Sequence, residues 1–310
     1  MDFALDAFLA GWLAASVRLA GPLLLAALGE IFAQRSGVLN IGIEGTMLLG
    51  ALAAYLVTWQ TGGLWFGIAA ALCAGLLAGV FLAFMYVTVR ASQVVVGIIF
   101  NILALGIASY GYRLALGGVS GVQTTPMFAE VPVPYLADLP ILGDMLFNHS
   151  VPLYLTAMLA ALAWFMLHRT AFGLNLRSVG ENPRAADTAG IDVGAYRYAA
   201  VLISSAGAAL AGAYLVLALV GQFRETIVAG QGFMALAIVI FGRWDPARAT
   251  VAAIVFGAAD SLQLTLQMYD VGVPPQLLLS LPYVLTIIAM SGIVMRADEP
   301  EALQQPYLRE

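Results

Sequence analysis

The feature that most constrains this chain is the repetition of apolar runs long enough to cross a bilayer. A helix rises 1.5 Å per residue, so roughly 20 apolar residues cover a hydrocarbon core of about 30 Å. Read between polar breaks, the sequence offers nine such runs: about 8–28, 39–59, 64–89, 93–112, 151–168, 196–220, 229–242, 249–268 and 276–295. The predicted fold is an all-α polytopic membrane protein with about nine transmembrane helices, some broken or re-entrant. The run at 229–242 is barely long enough to cross and is expected to be tilted or re-entrant.

Composition supports this. Hydrophobic residues make up 62% of the chain and charged residues 10%, against roughly 45–50% and 25% in a soluble domain. A soluble fold has nowhere to hide that much apolar surface. Residues 1–310 read as a single membrane domain with an outer loop at 113–150 and a polar cytoplasmic segment at 168–197. The opening Met1 to Asp6 carries acids and no positive charge, so the first run is read as a retained span and not a cleaved signal.

All thirteen basic residues are arginine. Without lysine the chain holds no Walker A loop and no Schiff-base nucleophile, so any ATP that drives it must bind another chain. The lone Cys73 excludes an intrachain disulfide and a multi-cysteine metal site. A net charge of −5, with no basic stripe, gives no support for nucleic-acid binding. No paired carboxylates, His/Cys cluster or serine with a base suggests catalysis, and neither a metal nor a cofactor is expected.

The arginines also set orientation, because cytoplasmic loops carry the positive excess. With the N-terminus outside, ten arginines fall inside: 35, 90, 169, 177, 184, 197, 243, 248, 296 and 309. Only Arg113 and Arg224 fall outside, and Arg18 lies within the first run. The expected topology is therefore N-out and C-in. The outer loop contains Glu130, Asp138 and Asp144 and four prolines, at 126, 132, 134 and 140, and should form a cap of short irregular pieces. In the third run the small residues Ala71, Gly75 and Gly79 suit close helix packing.

Two stretches carry most of the functional signal. In the first, Ser36 to Gly45, glycines at 37, 42 and 45 predict a break in a helix, with Asn40 and Glu44 beside it. Broken helices expose backbone groups that line cavities or are satisfied by protein. Glu44 either caps the helix that restarts after the break or lines a transport pathway. Asn101, Ser204, Ser205, Asp260, Gln263 and Gln267 add polar groups at membrane depth, each of which serves equally well as hydrogen-bond glue between helices.

In the second, Asn182 is placed as an N-cap, Pro183 as the first helical residue and Gly190 as the stop. About two turns result, too short to persist alone in water. Ala185, Ala186 and Ala189 are read as its exposed side, a low profile suited to a groove on a partner, although an ordinary folded intracellular loop has the same features.

The run Leu176-Arg177-Ser178-Val179-Gly180-Glu181-Asn182-Pro183, followed by Ala185-Ala186 and Gly190-Ile191, resembles the cytoplasmic signature of ABC-importer permeases of the simple-sugar, branched-chain amino acid and nucleoside group. The run Arg35 to Gly45 is similar to the shorter permease of the nucleoside branch. The resemblance covers nearly the whole chain. It implies a second homologous permease subunit, cytoplasmic ABC ATPase domains, an extracytoplasmic substrate-binding protein and a bacterial inner-membrane location. It places the ATPase-coupling helix on Glu181, Asn182, Pro183, Arg184, Ala185, Ala186, Asp187 and Gly190. Asn40, Glu44, Asn101 and Ser204 are the candidate pathway residues.

The Asn-Ile-Gly-Ile-Glu-Gly form favours a nucleoside-like substrate over sugars or branched-chain amino acids. Many members begin with an additional span and an inner N-terminus, whereas this chain is read as starting outside. Outside the family, an ion-gradient-driven secondary transporter using Glu44 or Asp260 would work without ATP, and a passive channel or scaffold would need no coupling helix.

Overall fold

A computed structural model of the chain describes residues 2–117, 123–137, 143–268, 274–290 and 299–308. The sequence expectations placed on Asp138, Pro140, Arg296 and Arg309 lie outside these residues. In chain order the helices are α1 (Asp2–Arg35), α2 (Ile43–Thr61), α3 (Leu64–Ala83), α4 (Gln93–Leu116), α5 (Val151–Arg169), α6 (Ala171–Glu181), α7 (Pro183–Thr188), α8 (Val193–Tyr214), α9 (Gln231–Phe241), α10 (Pro246–Met268), α11 (Pro275–Leu279) and α12 (Leu281–Met290). Wider π-type turns extend α3 through Thr88 and α8 through Val220.

Among the described residues, six helices are long and apolar enough to cross a membrane: Ala10–Arg35, Leu64–Thr88, Gln93–Leu116, Val151–Arg169, Val193–Val220 and Pro246–Gln267. The chain is therefore a polytopic helical membrane protein. Helix α9 has 11 residues, which at 1.5 Å each is about 17 Å and falls well short of a full crossing. That length agrees with a tilted or re-entrant element at 229–242.

The first span sits farther along than the sequence reading placed it. Polar Glu30 and Gln34 mark the end of the apolar run, yet α1 continues to Arg35 because both side chains find partners inside the bundle. Pro22 lies within the same helix. It has no N–H to give the carbonyl of Arg18, and the Tyr214 hydroxyl from α8 donates to that oxygen instead, at 3.3 Å.

Helix α8 is the centre of the bundle, and α1, α2 and α3 pack around it. Small residues set the distance. A Cβ on Gly212 of α8 would sit 1.9 Å from the Met47 carbonyl oxygen of α2, and one on Gly75 of α3 would sit 2.5 Å from the Ala209 Cβ. The helices meet backbone to backbone along this seam, as the Ala71, Gly75 and Gly79 series suggested.

The 113–150 segment, read as a cap of irregular pieces, contains more order than expected among its described residues. Strands β1 (Glu130–Pro132) and β2 (Asn148–Ser150) pair antiparallel, with Val131 opposite His149. Ion pairs anchor this end: Arg18 lies 3.8 Å from Glu130, and Arg113 lies 3.6 Å from Glu225.

Candidate functional site

The break forecast by the glycines is present, since α1 stops at Arg35 and α2 starts at Ile43. Seven residues of irregular backbone must then be satisfied within a bundle. Gln93 Oε1 accepts the Leu39 N–H at 2.7 Å, and a second acceptor is Glu30, which is fully buried and carries no motif signal in the sequence. Its Oε1 accepts the Asn40 N–H and the Gln34 amide, both at 3.0 Å, and its Oε2 accepts the Ser204 hydroxyl at 2.8 Å. Asn40 donates from Nδ2 to the Ser204 oxygen at 3.0 Å, and its Oδ1 accepts the Gly42 N–H at 3.0 Å.

The network extends to the loop before α10, where the Trp244 indole N–H donates to Gln34 Oε1 at 2.6 Å. Asn101 serves the far side of the break from α4. Its Oδ1 accepts the Gly45 N–H at 2.8 Å, and its Nδ2 donates to the Ile41 carbonyl at 3.0 Å.

Glu44 points elsewhere. The sequence reading let it cap α2, the helix it begins. The side chain instead spans to α9, where Oε1 accepts the Gly230 N–H at 2.7 Å and Oε2 accepts the Gly232 N–H at 2.8 Å. A carboxylate over a helix N-terminus meets unpaired N–H groups and the positive end of the dipole. Gly230 has a positive φ of 83°, and a Cβ on Gly232 would lie 2.8 Å from the Glu44 Cα. Gly232 therefore lets the two backbones meet, and Gly230 takes the left-handed turn that presents its N–H.

All four candidate pathway residues thus gather about one discontinuity. Asn40 and Ser204 are fully buried and bonded, whereas Glu44 and Asn101 remain partly accessible. Of the other polar groups noted in the spans, Asp260, Gln263 and Gln267 sit on α10. The Ser205 hydroxyl is buried without a hydrogen-bond partner. Among the described residues, no group of three His, Cys, Asp or Glu could hold a metal.

The second candidate region lies between α5 and α8. Thr170 opens α6 by accepting the Gly173 N–H at 3.2 Å, and this helix, Ala171–Glu181, was not foreseen. Asn182 then ends α6 and begins α7, its Oδ1 accepting the Ala185 N–H at 3.0 Å. Pro183 is the first residue of α7 and Gly190 follows it with φ +84°, as the sequence predicted.

The facing of α7 needs correction. Ala185 and Ala189 are exposed, but Ala186 is only 4% exposed and packs with Val179 of α6 and Val193 of α8. Around them Glu181, Asn182 and Arg184 are exposed, and Asp187 is partly covered. The result is a short, small-faced helix standing on two others.

A helix bundle with a discontinuity between α1 and α2 and a short helix seated on α6 and α8 is the frame that the comparisons with known proteins identify. Residues 12–290 match the family described as branched-chain amino acid transport system / permease component, and the chain belongs to that family of transporter permeases. It is 38% identical to the guanosine ABC transporter permease protein NupQ of Bacillus subtilis, with 94% of each chain covered. It is 35% identical to the putative glucose ABC transporter permease protein TsgC13 of Haloferax volcanii, covering 98% of this chain and 99% of that one. It is also 35% identical to the nucleoside ABC transporter permease protein NupC of Lactococcus lactis, covering 93% of each. No solved structure matches the chain.

Proposed function

We propose that the chain is the membrane-spanning permease of an ATP-driven importer for nucleosides, with α7 as the helix that receives the ATPase. The observation that carries this is the construction of α7: six residues, capped by Asn182, closed before Gly190, and showing a partner only small side chains at Ala185 and Ala189. Glu181, Pro183, Arg184 and Asp187 frame that surface, and Ala186 fixes it to the permease. With no lysine in the chain, ATP hydrolysis belongs to separate cytoplasmic ATPase subunits. A second homologous permease and an extracytoplasmic binding protein complete the complex in a bacterial inner membrane.

In this reading the chain crosses about nine times as one domain, the irregular 221–230 segment and the short α9 together making one crossing, N-out and C-in, with 113–150 outside and 168–197 inside. The segregation of arginines supports the orientation. Substrate passes beside the discontinuity where Asn40, Glu44, Asn101 and Ser204 gather. The names of NupQ and NupC favour nucleosides. The glucose named for TsgC13 keeps sugar import as the second reading.

Reconstitution with the partner permease, ATPase and binding protein tests the proposal. Guanosine uptake and ATP hydrolysis should rise together. Guanosine uptake that persists without the ATPase would sink the importer reading, and glucose uptake in place of guanosine would select the second one.

A further inference from the structure

Helix α7 is too short to hold its own shape, and the chain supplies a second support for it from a distant part of the sequence. Residues 299–308 run beneath the α6–α7 corner, and hydrogen bonds tie them to four different elements. The Ala302 N–H donates to the Gly180 carbonyl at the end of α6, at 2.9 Å, and the Gln304 N–H to the Gly37 carbonyl in the break, at 3.0 Å. Arg197 of α8 donates from Nη1 to the Gln305 carbonyl at 2.9 Å, and the Tyr307 hydroxyl donates to Asp187 Oδ2 of α7 at 2.9 Å.

The fit is close. Pro300 and Ala302 are buried, and a Cβ on Gly37 would lie 2.9 Å from the Ala302 carbonyl oxygen. Tyr307 packs with Val179, Ala186 and Val193, the residues that seat α7. Arg197 is 3% exposed and also donates from Nε to the Ser36 carbonyl at 3.2 Å, so one guanidinium ties this segment to the break. Glu181, Arg184, Glu301, Gln305 and Tyr307 line a cleft of about 590 Å³ between the segment and α7.

We propose that residues 299–308 are a strap that belongs to the coupling device: they hold α7 to the ends of α6 and α8 and to the break after α1, with Tyr307 and Arg197 as positioning residues. The inference rests on the reading of α7 as the ATPase-coupling helix. A displacement of α7 then enters the bundle by two routes, along the chain through α6 and α8, and across the strap into Gly37. The second route leads directly to the discontinuity bordered by Glu44 and Asn101. The strap also forms one wall of the cleft beside α7, so an ATPase that seats α7 lies against it.

The test uses two strap variants in the full complex, Tyr307→Phe, which removes one hydrogen bond, and Ala302→Glu, which cannot keep its buried place. Ala185→Glu, on the exposed face of α7, serves as the reference. In the permease alone, hydrogen exchange of amides 184–190 should quicken roughly tenfold in Ala302→Glu, as expected when a local structure loses its anchor. In proteoliposomes, both strap variants should raise the ATP hydrolysed per substrate imported by roughly threefold or more, a loss of coupling free energy, while the ATPase still co-purifies. Unchanged exchange and an unchanged ratio in both strap variants, with Ala185→Glu disrupting assembly, would overturn the strap and leave the α7 reading standing. Normal assembly and an unchanged ratio in Ala185→Glu would overturn the α7 reading and the strap together.

Discussion

Glu44, in the first turn of α2, closes the N-terminus of α9 by accepting the Gly232 N–H at 2.8 Å. Two helices separated by most of the sequence are thus joined by one carboxylate, whose second oxygen holds Gly230. Each oxygen is already engaged, so Glu44 serves α9 and borders the break at once.

Glu44→Ala should therefore loosen α9 and lower uptake while leaving ATPase binding intact. Two charge-assisted bonds of about 1.5–3 kcal/mol each are lost. Glu44→Gln should restore only part of the uptake, because an amide presents one acceptor where two N–H groups converge. Amide exchange at Gly230 and Gly232, measured beside uptake, checks this. Unaltered exchange and uptake in Glu44→Ala would remove the residue from both roles.

Glu30 behaves differently under substitution. Glu30→Ala strands the Ser204 hydroxyl, the Asn40 N–H and the Gln34 amide inside the bundle, at about 1–3 kcal/mol for each unsatisfied group. Little folded protein is expected, as read by size-exclusion chromatography in detergent. Glu30→Gln keeps a side chain of the same size with one carbonyl acceptor and should recover a substantial folded fraction. A yield of folded Glu30→Ala equal to that of the unmodified protein would show that the network contributes nothing to folding.

On α7, neighbouring alanines should give opposite phenotypes. Ala185→Glu changes the exposed face, so the permease should fold normally and lose its ATPase on co-purification. Ala186→Glu forces a charge between Val179 and Val193, and the permease itself should lose thermal stability. A buried charge without a partner costs several kcal/mol. If Ala186→Glu melted like the unmodified protein, the inward facing of Ala186 would be refuted.

Along the α2–α8 seam, Gly212→Val should abolish accumulation of folded protein. Its first added carbon would lie 1.9 Å from the Met47 carbonyl oxygen, and neither backbone can yield alone. Gly106→Val, at a position where an added Cβ meets nothing within 4 Å, is the control and should accumulate normally in membranes.

Local chemistry explains what the sequence made legible. The α7 boundaries follow from an Asn N-cap, a proline at the first position and a following glycine, all within nine residues. The break after α1 follows from clustered glycines, and the apolar runs located most helices. Relations across long sequence distances were not visible. Glu30 and Ser204 are 174 residues apart and Gln34 and Trp244 are 210 apart, so the end of α1 could not be read from its own polar residues. A Glu and Gln spaced four apart at the end of an apolar run was the one available hint.

The buried side of α6, Gly173, Leu176, Val179 and Gly180, recurs at helical spacing, but two of its four residues are glycine, which disfavours helix and hid the element. The facing of Ala186 was misjudged for a related reason. A six-residue helix is too short to display an apolar stripe, and its rotation is set by what it rests on. Which helix Glu44 would cap was equally hidden, since the first turn of α2 lay in plain view and the start of α9 did not.

Helix α9 covers only about half the thickness of a hydrocarbon core. The approach to it, from Gly221 to Gly230, is irregular backbone. Peptide dipoles unsheathed by a regular helix raise the local permittivity, and lipid cannot tolerate them unless protein or water surrounds them. On the pathway we propose, backbone dipoles near Glu44 would stand in for part of the hydration that a polar solute gives up.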